Sequence, residues 1–260
     1  MLRPRVIPCL LVHEGGLVKT VGFKAPKYVG DPINAVKIFN EKEADELVVL
    51  DIDATVTGAE PDYKMIAHLA AECRMPLCYG GGVRSAEQAK KIIALGVEKV
   101  ALSSAAIENP DLIKQIADEI GRQSVVVVLD VKKRIFSKEY DVFIHNGKKN
   151  TKRSVIEVAK QFESLGVGEI VINSIDDDGQ MKGYDLALAR KIRDSVNIPI
   201  TFLGGAGSLD DIGALIRTCG VVGASAGSLF VFKGVYKAVL ISYPTVVQRD
   251  ELIRSSFSKF

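Results

Sequence analysis

The chain has no CxxC pair, no metal-ligand spacing among its histidines and no apolar run long enough to span a bilayer. Cys9, Cys73, Cys78 and Cys219 are dispersed in or beside apolar runs, which predicts reduced, buried thiols rather than disulfides or zinc ligands. His13, His68 and His145 are equally scattered, as ordinary surface or loop residues would be, so no metal or cofactor is expected. A membrane helix needs ~20 consecutive apolar residues, and the early run Val6 to Val12 is broken by Pro8 and lacks a cleavage-like end. No membrane association is expected, and the cytoplasm is the predicted compartment. The formal net charge is only +2, with basic residues spread through segments of helical pattern, which argues against a nucleic-acid partner.

What is present is an α/β rhythm. The composition, 47% hydrophobic and 25% charged, is that of a globular protein. Eight apolar runs of strand length recur at Val6 to Val12, Glu46 to Asp51, Pro76 to Tyr79, Lys99 to Ser103, Ser124 to Asp130, Glu169 to Ser174, Pro199 to Leu203 and Val221 to Ser225. Their hydrophobicity is continuous rather than alternating, as in parallel strands covered on both faces. Helix starts punctuate the gaps, with Ser85 and Gln88, Ser208 and Asp211, and Asp185 in capping positions. Eight such units in 260 residues predict a (β/α)8 barrel, a single domain over 1–260. The longest interruption, residues 132–154, alternates in "EYDVFIH" and is expected to form a hairpin on the catalytic face.

An internal repeat supports two half-barrels. "DELVVLDID" resembles "GEIVINSID", and "PLCYGGGVRSAEQ" resembles "PITFLGGAGSLDD"; one interval separates Glu46 from Glu169 and Pro76 from Pro199. Matching the first strands of the halves sets "LLV" against "LDV", so Leu11 is the counterpart of Asp130.

Gly81 and Gly82 in "GGGVRS", Gly204 and Gly205 in "GGAGS", Ser103 and Ser104 in "SSAA", and Gly227 and Ser228 in "AGS" each follow a strand and open a helix. Such turns suit phosphate, because glycine allows close backbone approach and helix N-termini present free N–H groups. Four in pseudo-twofold pairs suggest a ligand with two phosphate ends held across the barrel mouth. Between those ends the strand C-termini place Leu11, Asp51, Tyr79, Ser103, Asp130, Asn173, Leu203 and Ser225. Asp130 closes the apolar run "VVVVLD", where partial burial would raise its pKa and suit it to acid–base work. Asp51 is expected to orient neighbours, and Lys19 to be a cationic loop residue over the mouth. At the other barrel end, Arg5, Glu46, Lys99 and Glu169 begin strands one, two, four and six; they read as a structural plug or as the rim of a passage.

From "RVIPCL" through "GDPINAVKIFNEKEADELVVLDID", "GGGVRS", "EKVALSSAA", "GEIVINSIDDDG", "GYDL" and "GGAG" to "AGSLFVF", the chain resembles HisF, the cyclase subunit of imidazole glycerol phosphate synthase. The resemblance implies a HisH-like glutaminase docked on the N-terminal face and ammonia travelling through the barrel to a bisphosphorylated substrate, PRFAR. It assigns Arg5, Glu46, Lys99 and Glu169 to the ammonia gate. It places Lys19, Asp51, Asp130 and Asp178 in the active site, and the phosphates on Gly81, Gly82, Ser104, Gly204, Gly205, Gly227 and Ser228. It also exposes departures. The family pairs the counterpart of Asp130 with an aspartate in "CLDV", where this chain has Leu11, and Ser103, Asn173 and Leu203 stand where Asn, Thr and Ser are usual. The departure is similar to that of HisF paralogues that work with a glutaminase and a sugar amidotransferase in amidination of bacterial surface polysaccharides. The expected function is therefore ammonia delivery with weakened cyclase chemistry. An imidazole glycerol phosphate synthase cyclase and a scaffold that merely activates a glutaminase are the alternatives; a HisA-type isomerase would need an acid at position 11.

Overall fold

The computed structural model describes residues 3–258; the outermost two residues at each end of the expected 1–260 barrel lie outside the described residues. Eight parallel strands form its centre: β1 (Arg5–His13), β2 (Leu47–Asp51), β3 (Leu77–Gly80), β4 (Lys99–Leu102), β5 (Val125–Lys133), β6 (Glu169–Ser174), β7 (Ile200–Leu203) and β8 (Gly223–Ala226). Each pairs with the next, and β8 returns to β1 through Arg5 opposite Gly223, so the sheet closes into a barrel with no free edge. Eight helices surround it: α1 (Pro32–Glu41), α2 (Tyr63–Glu72), α3 (Ala86–Ala94), α4 (Asp111–Ile120), α5 (Val155–Ser164), α6 (Leu186–Arg193), α7 (Leu209–Cys219) and α8 (Val246–Phe257).

Closure explains the uniform hydrophobicity of the strands. On β1, Val6, Leu10 and Val12 pack toward the helices, whereas Ile7, Cys9 and Leu11 belong to a second cluster around the barrel axis. That inner cluster, completed by Val48, Cys78, Ala101, Val126, Val128, Val171 and Leu203, is built largely from small and branched side chains. Both faces of every strand are covered, so no polar alternation survives. Cys9, Cys78 and Cys219 are buried and Cys73 half-buried, all as free thiols.

The caps form with one asymmetry. Ser208 and Asp211 make a reciprocal capping box on α7, and Asp185 accepts from the Leu188 amide at 2.9 Å. Ser85 accepts from Gln88, but the Gln88 side chain turns to the Arg84 amide. The expected hairpin occupies Tyr140–Ile144 and Lys149–Ser154, and its pairing carries β5 three residues past Asp130.

A second hairpin, Gly16–Val21 with Lys24–Gly30, was not foreseen. It pairs back onto β1, with Leu11 opposite Val18, so β1 continues past Leu11 to His13. This corrects the reading of Lys19 as a loop residue: Lys19 lies on a strand and is buried. Tyr79 is also corrected. It is wholly buried in the layer between strands and helices, and the next residue, Gly80, faces the mouth.

Candidate active site

The C-terminal ends of the strands enclose a cavity of about 280 Å³. The strand ends and the residues just beyond them bring Leu11, Leu50, Asp51, Ser103, Asp130, Asn173 and Leu203 to its wall. Gly81, Gly82 and Ser104 line one side, and Gly204, Gly205, Gly227 and Ser228 line another. Ser225 is absent from the wall; its hydroxyl donates to the Ile7 carbonyl at 3.0 Å and ties β8 to β1.

Gly81 illustrates why a glycine turn is needed. Its φ is +131°, and a Cβ there would stand 2.6 Å from Cβ of Asp51. Asp51 accepts from the amides of Asp53 at 2.8 Å and Ala54 at 3.1 Å, fixing the adjoining turn. Burial nevertheless pushes its carboxyl above the ordinary range, against those two amide bonds.

Asp130 is buried, with its Oδ1 accepting from Asn173 Nδ2 at 2.8 Å. Desolvation dominates and raises its pKa to about 7, opposed by the Asn173 bond and assisted by the charge of Asp178. A carboxyl so placed can hold or release a proton near neutrality. Leu11 lines the same cavity from the repeat-related strand, but contributes no proton-transfer group.

Lys19 is 6% exposed, and its Nζ donates to the Cys9 carbonyl at 2.6 Å. Burial lowers its pKa, and among the described residues no carboxylate lies within ion-pair distance of it. Gly227 creates the space: a Cβ there would collide with Lys19 Nζ. A buried ammonium beside the Gly227 turn is a receptor for an anionic ligand group. Asp178 holds the hairpin that carries Lys19, accepting from Thr20 Oγ1 at 2.7 Å and from the Phe23 amide at 3.1 Å.

The sequence reading missed His145 and Asn146. Both line the cavity from the tip of the hairpin after β5. The His145 amide donates to Ser104 Oγ at 2.9 Å, its Nε2 lies 3.0 Å from Glu108, and Asn146 donates to the Ile52 carbonyl at 2.6 Å. The available signal was the expected position of that hairpin on the catalytic face.

At the opposite end of the barrel Arg5 bonds Glu46 and, at 2.7 Å, Glu169, while Lys99 bonds them at 2.8 and 2.9 Å. Thr201 donates to Glu169 at 2.5 Å. Burial opposes the charge of Glu169, but the Arg5 guanidinium, with Lys99 and the Thr201 hydroxyl, outweighs it and holds the carboxyl down at about 2. Each acid thus meets both cations, and the alternating ring closes the barrel floor beneath the small apolar side chains of its interior. Among the described residues no group of three or more His, Cys, Asp or Glu could hold a metal ion, and no helix is long and apolar enough to cross a membrane.

Residues 5–237 match the family described as "Histidine biosynthesis protein". Against Lactococcus lactis imidazole glycerol phosphate synthase subunit HisF the identity is 42% over 88% of this chain and 89% of the relative. The chain belongs to the HisF family. Other family members are more similar. A Vibrio vulnificus protein, provisionally named imidazole glycerol phosphate synthase subunit hisF3, is 60% identical over 97% of each chain. A Pseudomonas aeruginosa protein, provisionally named as subunit hisF2, is 55% identical over 96% of this chain and 99% of the relative. In this member of the family the cavity wall includes the apolar side chain of Leu11.

Proposed function

We propose that the chain is the barrel subunit of a glutamine amidotransferase complex that conducts ammonia toward amidination of a surface-polysaccharide sugar. It is read as a single cytoplasmic domain. A HisH-like glutaminase would dock on the face bearing Arg5, Glu46, Lys99 and Glu169, and a sugar amidotransferase would receive the ammonia. The charged ring supports a closable entrance, and the small apolar interior beyond it suits neutral ammonia while disfavouring ions. The Gly-rich turns and Lys19 retain a phosphorylated ligand at the exit.

Leu11 is the observation that carries this reading. Ring closure on PRFAR calls for paired acid–base groups, and Leu11 leaves Asp130 without a carboxylate on the repeat-related strand, although both residues line the cavity. The second reading, an imidazole glycerol phosphate synthase cyclase, is favoured by the names of the relatives. Steady-state assay of the purified chain with PRFAR and ammonium salt separates the two. We expect turnover about 100-fold or more below that of Asp-bearing family members, with recovery in Leu11→Asp. Turnover at the family level in the unmodified chain overturns the proposal.

A further inference from the structure

Two hairpins project beyond the C-terminal ends of β1 and β8. The first is Gly16–Val21 with Lys24–Gly30; the second is the short ladder Phe232–Lys233 with Ala238–Val239. Lys27 Nζ sits 5.5 Å from the centroid of the Phe232 ring, so the two hairpins meet. Each is rooted in the cavity wall: Lys19, Thr20 and Phe23 belong to the first, and Gly227 and Ser228 lead into the second.

Their outer surfaces share a composition unlike that of a solvated loop. Tyr28 is 67% exposed, Val235 95%, Tyr236 96% and Leu240 52%. Lys24, Lys27, Lys233 and Lys237 are exposed among them, and residues 15–30 and 228–249 contain no aspartate or glutamate. Among the described residues the outer edge of Lys24–Gly30 has no strand partner. Lysines and Pro26 protect that edge from pairing with another copy of itself. They leave exposed aromatic and branched side chains ringed by positive charge, the anatomy of an interface with an apolar centre and a charged rim.

We infer that the paired hairpins are the docking surface for an acidic protein that seats over the cavity mouth and takes up the ammonia delivered there. This rests on the ammonia-conducting reading of the barrel. The chemistry favours a protein cover, because ammonia released into water at neutral pH is diluted and converted to ammonium, so its consumer has to close the exit. The lysines require a carboxylate-rich counter-surface, and association should weaken as salt rises.

The test uses three purified proteins: the full chain, a HisH-like glutaminase and a sugar amidotransferase from the same source. Sedimentation velocity measures binding of wild type, Tyr236→Asp and the double variant Lys233→Glu/Lys237→Glu. We expect both variants to bind the amidotransferase at least tenfold more weakly, with glutaminase binding and glutaminase activation as in wild type. Unchanged amidotransferase binding in the variants, or none in wild type, overturns the inference. Wild-type binding only to phosphatidylglycerol vesicles, lost in the lysine variant, overturns it in favour of a membrane. The PRFAR assay fails or succeeds independently, so loss of the conduction reading is distinguished from loss of this surface.

Discussion

Asp130 makes a prediction about stability as well as chemistry. An unfolded aspartate ionises near 3.9, whereas burial raises the folded group to about 7. The native state therefore binds this proton more tightly than the unfolded chain does. Stability from this group is fully present below about pH 4 and is lost as pH rises through 7, at ~1.4 kcal/mol per pH unit across that interval. Asp130→Asn is accordingly expected to melt higher than wild type at pH 8 but not at pH 4, in paired thermal denaturations. Lys19 and Gly227 form a second residue-scale case. Gly227 has φ of −104°, open to any residue, so alanine there acts through its Cβ, which displaces the ammonium and presses the Cys9 carbonyl at 3.2 Å. Gly227→Ala and Lys19→Met should each weaken a phosphorylated ligand at least tenfold by calorimetry, with melting temperature nearly unchanged.

At the scale of elements, the decisive pieces are the excursions beyond the strands rather than the strands themselves. Asp178 fastens the β1 hairpin through Thr20 and Phe23, while Gly22 donates to the Asp178 carbonyl at 3.0 Å. Asp178→Ala keeps that backbone bond but removes the two carboxylate bonds. Hydrogen exchange over residues 16–30 should therefore accelerate while exchange in β5 and β6 stays protected. Faster exchange throughout the barrel would instead mean that Asp178 supports the whole fold. A terminal feature such as the α7 capping box acts on stability: Ser208→Ala should cost about 1 kcal/mol in denaturant unfolding.

For the whole molecule, the charged floor links stability to conduction. Arg5→Ala leaves Glu46 and Glu169 sharing Lys99, and breaking a largely buried network of this kind costs on the order of 3 kcal/mol. The depressed pKa of Glu169 adds a sign: its contribution is present above the ordinary glutamate range and is lost as pH falls toward 2. In the complex, Arg5→Ala should separate glutamine hydrolysis from ammonia use, measured as glutamate formed per ammonia consumed; a ratio unchanged from wild type would argue for a plug alone. The eight-fold barrel, its half-barrel repeat and the four-charge floor were legible in the chain. Hydrophobic runs, spacing and strand-start charges are local signals, and barrel closure has few alternatives once eight βα units are present. The Gly-rich turns were legible for the same reason. Tyr79 was misplaced because a strand buried on both faces carries no alternation to say which residues look inward. Lys19 was misread because a hairpin folded it back onto β1, and His145 was passed over because only that fold brings a residue after β5 beside Ser104. Residue order alone thus dictated the barrel and set Leu11 on its first strand as the repeat-related counterpart of Asp130. Burial, which depends on elements distant in the chain, decided which groups share one cavity and how strongly their protons are held.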